Sequence, residues 1–199
     1  MSEVEGFILA GGASSRMGED KAHLRLGGRT LVGRAAAALG GVAGRVSVVS
    51  SKPDAAAFGL PVVADRLGGR GALGGLHAAL AHASAGWALI LSCDLPFVTD
   101  ALCERLASLR GPDADAVAPV QPDGRPQPLC ALYARAACLP AAEELLRAGE
   151  LRPRALLARV RTRWVSFAEV ADLDGSEHFF RNLNTPEDFA EALRVAGRE

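Results

Sequence analysis

Apolar positions along the chain gather into short runs, most of them too brief for anything but a strand, separated by glycine-rich connections. Val4 to Leu9 is the first such run, long enough for one buried strand. Leu24-Arg-Leu26 is a short apolar link turned by Gly27-Gly28. Thr30 can then cap a helix carrying Leu31, Val32, Ala35, Ala36 and Leu39, which Gly40-Gly41 ends. Arg45 to Ser50 reads as a second strand, Pro53 to Phe58 as a helical turn and Leu60 to Ala64 as a third strand. A helix is expected from about Leu76 to Ala83. Trp87 to Ser92 is almost continuously apolar, the pattern of a central parallel strand covered on both faces. Thr99 or Asp100 opens a helix to Leu109. Strands at Ala114–Val120 and Leu129–Tyr133 flank a turn, and helices at about Ala136–Ala148 and Pro153–Val160 precede a late strand, Arg163–Phe167. Thr185-Pro-Glu-Asp188 is a strong helix start, with Thr as N-cap, Pro next and acids in the first turn; the closing helix runs to about Ala196.

Strand–helix alternation over residues 4–110 implies a parallel sheet with right-handed crossovers. The expected class is α/β: a three-layer α/β/α, Rossmann-like sandwich with a mostly parallel sheet. No repeat, low-complexity tract or linker divides the chain, so residues 1–199 are expected to form one domain. Ligands of such folds sit at the carboxyl ends of the strands. Four features fall there: the stretch after Leu9, Ser50, Asp65 and Asp94.

That stretch, Leu9-Ala-Gly-Gly-Ala-Ser-Ser-Arg-Met-Gly-Glu-Asp-Lys21, ends a strand in a Gly11-Gly12 turn. Ser14, Ser15, Arg16 and Lys21 follow within a few residues. Backbone N–H groups, hydroxyls and two cations on one loop suit a polyphosphate. It is neither a P-loop, which needs Lys-Ser/Thr after its last glycine, nor the dinucleotide fingerprint. The plainer alternative is a glycine turn with solvated charges. Composition weighs against that: Lys21 and Lys52 are the only lysines, against 20 arginines, and a compact ammonium is not interchangeable with a planar fork at a phosphate.

Net charge is −1, which argues against a general nucleic-acid binder, and no apolar run is long enough for a membrane span. The acidic N-terminus lacks the basic region of a signal peptide, so a cytoplasmic location is expected. Cys93, Cys103, Cys130 and Cys138 form no C-x-x-C pair and read as buried thiols in a reducing compartment. The four histidines are scattered and suggest no metal site.

Asp94, after the most buried strand, reads either as a hard-oxygen ligand for Mg²⁺ beside substrate phosphates or as a turn aspartate before Pro96. Asp65 can contact base, ribose or a second metal, or simply close its turn. The glycines from Gly71 through Gly74 to Gly75 permit either backbone approach to a base or tight helix–sheet packing. Arg16 reads as a β/γ-phosphate contact. Asn182 and Asn184, the only two asparagines, can bind a polar ligand or close turns, and so can Arg125 and Gln127.

Leu9-Ala-Gly-Gly-x-Ser-x-Arg-Met-Gly-x-Asp-Lys21 resembles the signature of nucleotidyltransferases that act on the molybdenum cofactor. Asp65, the Gly-x-Leu-x-Gly run at 71–75, Cys93-Asp94-x-Pro96, Arg125-x-Gln-Pro-Leu-x-Ala-Leu-Tyr133 and Asn182-x-Asn-Thr-Pro-Glu187 follow in that family's order, over nearly the whole chain. The resemblance is to the molybdenum cofactor guanylyltransferases. It implies transfer of GMP from GTP to molybdopterin, with Mg²⁺, giving the guanine dinucleotide cofactor and pyrophosphate. Leu9, Ala10, Gly11, Lys21, Asp65 and Asp94 would bind nucleotide, Gly12, Ser14, Ser50, Gly71 and Gly74 are expected to bind it with them, and Asp94 would hold the metal. Arg16, Lys21 and Asp94 would be catalytic. The C-terminal half, about residues 111–199, would hold the pterin through Arg125, Gln127, Asn182 and Asn184, and the N-terminal half, about residues 1–110, the nucleotide. Relatives that use CTP tend to read Leu-Ala-Ala-Gly where this chain reads Leu9-Ala-Gly-Gly12, which favours GTP. The resemblance also implies transient contact with other cofactor-biosynthesis proteins and target molybdoenzymes. Ser50 stands where some members have Asn, and Ala72 and Gly74 replace a common proline and alanine. A cytidylyltransferase, a sugar-phosphate nucleotidyltransferase and a nucleotide-binding regulator without turnover are the alternatives.

Overall fold

A computed structural model describes residues 3–10, 21–65 and 69–197. In chain order the elements are β1 (Val4–Leu9), β2 (Arg25–Leu26), β3 (Arg29–Thr30), α1 (Leu31–Gly40), β4 (Val46–Val49), β5 (Val62–Val63), α2 (Gly71–His82), β6 (Trp87–Ser92), α3 (Asp100–Ser108), β7 (Ala116–Pro119), β8 (Cys130–Ala134), α4 (Arg135–Arg147), α5 (Pro153–Arg159), β9 (Thr162–Val165) and α6 (Pro186–Ala196). Short 3-10 turns form at Lys21–His23, Pro53–Phe58, Phe167–Glu169 and Ser176–His178.

The main sheet has seven strands in the order β5-β4-β1-β6-β8-β7-β9. All run parallel except β8, which is antiparallel to both its neighbours. Side chains alternate across each strand, so the five inner strands feed two cores, while the edge strands β5 and β9 each feed one. Ile8, Val48, Leu89, Leu91 and Leu132 face α1, α3 and α6. Phe7, Leu9, Val49, Ile90 and Tyr133 face α2, α4 and α5. The expected three-layer α/β sandwich is what forms, and strands β7 to β9 of the C-terminal half complete the same sheet. No described helix is long and apolar enough to cross a membrane.

Three local differences from the sequence reading have physical causes. First, α2 starts at Gly71, not near Leu76. Gly71 has φ +61°, and a Cβ there would lie 3.1 Å from the Leu151 carbonyl oxygen. The Leu73 N–H donates to that same oxygen at 3.2 Å. The glycines therefore form the first turns of a helix lodged against the chain before α5. Their intrinsic helix cost, up to about 1 kcal/mol each, is outweighed by burial of Leu73, Gly74 and Gly75. Second, the link at Leu24–Leu26 is one side of a two-residue hairpin, β2-β3. Gly27 and Gly28 have φ of 58° and 79°, as such a tight hairpin turn demands. Third, the late strand stops at Val165, because Ser166 and Glu169 form a reciprocal capping box that turns the chain.

Candidate active site

The site is built where two neighbouring strands leave the sheet. β1 and β6 are parallel, with Leu9 opposite Ser92. Backbone bonds prolong the pairing past their ends: Ala10 N–H donates to Val49 at 3.1 Å and Cys93 N–H to Leu9 at 3.2 Å. The Leu95 N–H then returns to the Ser92 carbonyl at 3.2 Å. That turn presents Asp94 at the carboxyl edge of the sheet, half-buried. The buried Ser92 lies two positions before Asp94 on the same strand end. Burial pushes the Asp94 carboxyl up from its ordinary value, while Ser92 and the charge of Lys21 pull it back. A partly desolvated carboxylate beside one ammonium is a place where further positive charge is stabilising.

Lys21 opens the 3-10 turn after the glycine-rich stretch, and its ammonium donates to the Leu183 carbonyl. The Leu183 N–H donates in turn to the Asp94 carbonyl at 2.9 Å. One peptide near the C-terminus thus bridges Lys21 and the Asp94 turn across 162 positions of sequence between Lys21 and Leu183. Asn182 and Asn184 flank that peptide, so both stand at the edge that carries Lys21 and Asp94. The Asp188 carboxylate accepts the N–H groups of Asn184 and Thr185 at 2.8 and 2.9 Å. These bonds, with the nearby Lys21 charge adding to them, hold its carboxyl below the usual range.

The remaining candidates are placed as follows. Ser50 ends β4 buried at the same edge, but its hydroxyl accepts the Lys52 N–H at 3.1 Å. Asp65 follows β5 there, partly buried. Gly71 and Gly74 lie inside α2, where Gly74 is buried and its N–H donates to the Arg70 carbonyl at 3.1 Å. Gln127 is buried on the connection from β7 to β8. Two residues on, the Leu129 carbonyl accepts the Ser92 N–H at 2.8 Å, tying this connection to the Asp94 turn. Arg125 is exposed and paired with Asp123 at 2.6 Å within its own turn. Gly11, Gly12, Ser14 and Arg16 lie outside the described residues.

Two groups that contact this edge escaped the sequence reading: Asp188 and the Leu183 carbonyl. Asp188 was legible only as a helix-start acid. A backbone carbonyl carries no signal.

Among the described residues no three His, Cys, Asp or Glu side chains gather to hold a metal. The arrangement fits a cation that takes one or two protein carboxylates and completes its shell with phosphate and water.

Comparison with known proteins decides the family. Residues 6–164 match the family described as a MobA-like NTP transferase domain. A probable molybdenum cofactor guanylyltransferase of Pelotomaculum thermopropionicum is 35% identical to this chain, over 98% of it and 95% of its own length. The chain belongs to the molybdenum cofactor guanylyltransferase family. Another member, from Desulfosudis oleivorans, is 34% identical over 100% of this chain and 99% of its own. The crystal structure of molybdopterin-guanine dinucleotide biosynthesis protein A from Archaeoglobus fulgidus superposes with a TM-score of 0.82 at 25% identity, covering 98% of this chain and 100% of that one. Membership of this family makes the protein a nucleotidyltransferase of molybdenum cofactor biosynthesis, as the ordered motifs implied. The regulator without turnover and the sugar-phosphate alternative lose their ground.

Proposed function

We propose that the protein transfers GMP from GTP to the terminal phosphate of molybdopterin, forming molybdopterin guanine dinucleotide and releasing pyrophosphate. The observation that carries this reading is the convergence of Lys21 and Asp94 on one peptide at the carboxyl edge of the sheet, in a chain of this family. Gly12 in Leu9-Ala-Gly-Gly12 and the guanylyltransferase relatives favour GTP over CTP.

The pterin phosphate is already largely anionic at neutral pH, since its second pKa is about 6. Attack on the α-phosphate therefore needs no general base, and the protein's work is positioning and charge stabilisation. Lys21, an ammonium with three donors, stays on the Leu183 carbonyl while it also reaches phosphate oxygens and stabilises charge on the transferring group. Arg16 neutralises the leaving pyrophosphate. Asp94 would hold Mg²⁺, which when bound would supply charge neutralisation on phosphate oxygens. Leu9, Ala10, Gly11, Gly12 and Ser14 cradle the triphosphate, with Ser50 and Asp65 at the nucleoside. Gly71 and Gly74 act by letting α2 approach closely. Gln127, Asn182 and Asn184 hold the pterin, with Arg125 at the rim once it leaves Asp123. The N-terminal half of the domain thus takes the nucleotide and the C-terminal half the pterin. Four buried free thiols suit a reducing compartment, the cytoplasm. There the product passes to molybdoenzymes by transient contact.

Nucleotide selectivity tests the reading by thermal unfolding with Mg²⁺ and one nucleotide at a time. Ligand at a hundred times its Kd stabilises by about 2.7 kcal/mol. GTP is expected to raise Tm more than CTP or ATP at equal concentration. Equal shifts from all three would remove the guanine assignment, and a larger shift from CTP would replace it.

A further inference from the structure

Lys21 and Asp94 meet on a segment that belongs to no helix or strand. The Leu183 peptide takes the Lys21 ammonium on its carbonyl and gives its N–H to the Asp94 backbone. Something must hold that peptide in place, and the structure shows what does. The next two backbone N–H groups, of Asn184 and Thr185, both end on one oxygen of the Asp188 carboxylate, at 2.8 and 2.9 Å. Asp188 sits in the first turn of α6, where its own N–H donates to the Thr185 hydroxyl at 3.1 Å. The helix behind it is anchored, with Ala192 buried in the core. A carboxylate on a fixed helix therefore grips the turn that carries Leu183. Charge adds to geometry: Lys21 lies close enough to Asp188 to help keep its carboxyl ionised.

We infer that Asp188 is a positioning residue for the transfer, acting through the Asn184–Thr185 turn and the Leu183 carbonyl to set the Lys21 ammonium beside Asp94. This rests on the roles given to Lys21 and Asp94 above. It differs from simple helix capping, which would make Asp188 and Thr185 equivalent, because the capping box uses one hydrogen bond from each.

Two substitutions separate the readings. Thr185→Ala removes the hydroxyl that accepts the Asp188 N–H and leaves both N–H bonds to the carboxylate. Asp188→Ala removes the carboxylate and releases the turn. Both weaken the start of α6 to a similar degree, which Tm measures.

The composition supplies a readout that needs no catalysis. Lys21 and Lys52 are the only lysines, so brief treatment of the folded protein with an amine-acylating reagent reports Lys21 against an internal reference by mass spectrometry. The Lys21:Lys52 labelling ratio is expected to rise severalfold in Asp188→Ala and to stay at the native value in Thr185→Ala. Asp188→Asn keeps an acceptor oxygen and restores much of the protection. In turnover with GTP and molybdopterin, kcat falls about tenfold in Asp188→Ala, the scale of one lost hydrogen bond to a charged group, while KM for GTP changes little. A native labelling ratio in Asp188→Ala overturns the inference. So does an equal loss of kcat in Thr185→Ala and Asp188→Ala at matched Tm. A native protein inert with GTP and molybdopterin would instead sink the function proposed above, and the labelling ratio would still decide whether Asp188 places Lys21.

Discussion

At the residue scale the proposed chemistry rests on Lys21 and Asp94, and each is held by the Leu183 peptide. The Leu183 carbonyl takes one Lys21 N–H, and an ammonium has three donors in all, so a phosphate can be met without loss of that contact. Lys21→Ala and Asp94→Ala are each expected to reduce turnover at least about a hundredfold, the scale of a lost preorganised charge contact, with circular dichroism unchanged; near-native turnover in either would refute its role. Asp94 also predicts a trade of stability for function. In the folded chain burial holds its proton to a higher pH than in the unfolded chain. Above the folded value the desolvated charge costs stability; as pH falls through that value towards the unfolded one, the cost vanishes. Asp94→Asn should therefore raise Tm at pH 7, lose that advantage in acid and abolish turnover. A Tm below native at pH 7 would contradict the assignment of the shift to burial. The placement of Lys21 and Asp94 at one sheet edge was legible in the sequence, one as a rare lysine in an arginine-rich chain, the other as the acid after the most apolar strand. The contacts of Asp188 and the Leu183 carbonyl were not, because they exist only once β6 and the approach to α6 are side by side.

Among the elements, legibility followed periodicity. β1 announced itself as an apolar run and β6 as a nearly continuous one, and α1 and α6 by their caps, Thr30 and Thr185. The start of α2 was misread because glycine is a poor helix former in isolation, and no local pattern reveals that Leu151 packs against Gly71. That contact makes a test. Gly71→Ala imposes a side chain on a φ of +61° and drives its Cβ to 3.1 Å from the Leu151 carbonyl oxygen. The expected loss is about 1–2 kcal/mol from the left-handed conformation alone, read by urea unfolding. A change within about 0.5 kcal/mol, the range of neutral surface substitutions, would mean that the helix start shifts at no cost.

The whole molecule joins its two halves through a single sheet, with β6 paired to β1 on one side and to β8 on the other. The chain should unfold as one unit, although nucleotide and pterin are assigned to different halves. Trp87 in β6 and Trp164 in β9 are the only tryptophans. Single-tryptophan variants that keep one or the other are expected to show coincident thermal transitions; separated midpoints would show two independently stable parts. The broad architecture was legible from strand–helix alternation, whereas the antiparallel insertion of β8 between β6 and β7 depends on long-range pairing that no local pattern encodes. The central claim is guanylyl transfer at the edge where Lys21 and Asp94 converge. It is tested most directly by pyrophosphate release from GTP, CTP and ATP in turn, with Mg²⁺ and with or without molybdopterin. Release that requires molybdopterin and is fastest with GTP is the predicted result; faster release with CTP, or release indifferent to molybdopterin, would contradict it.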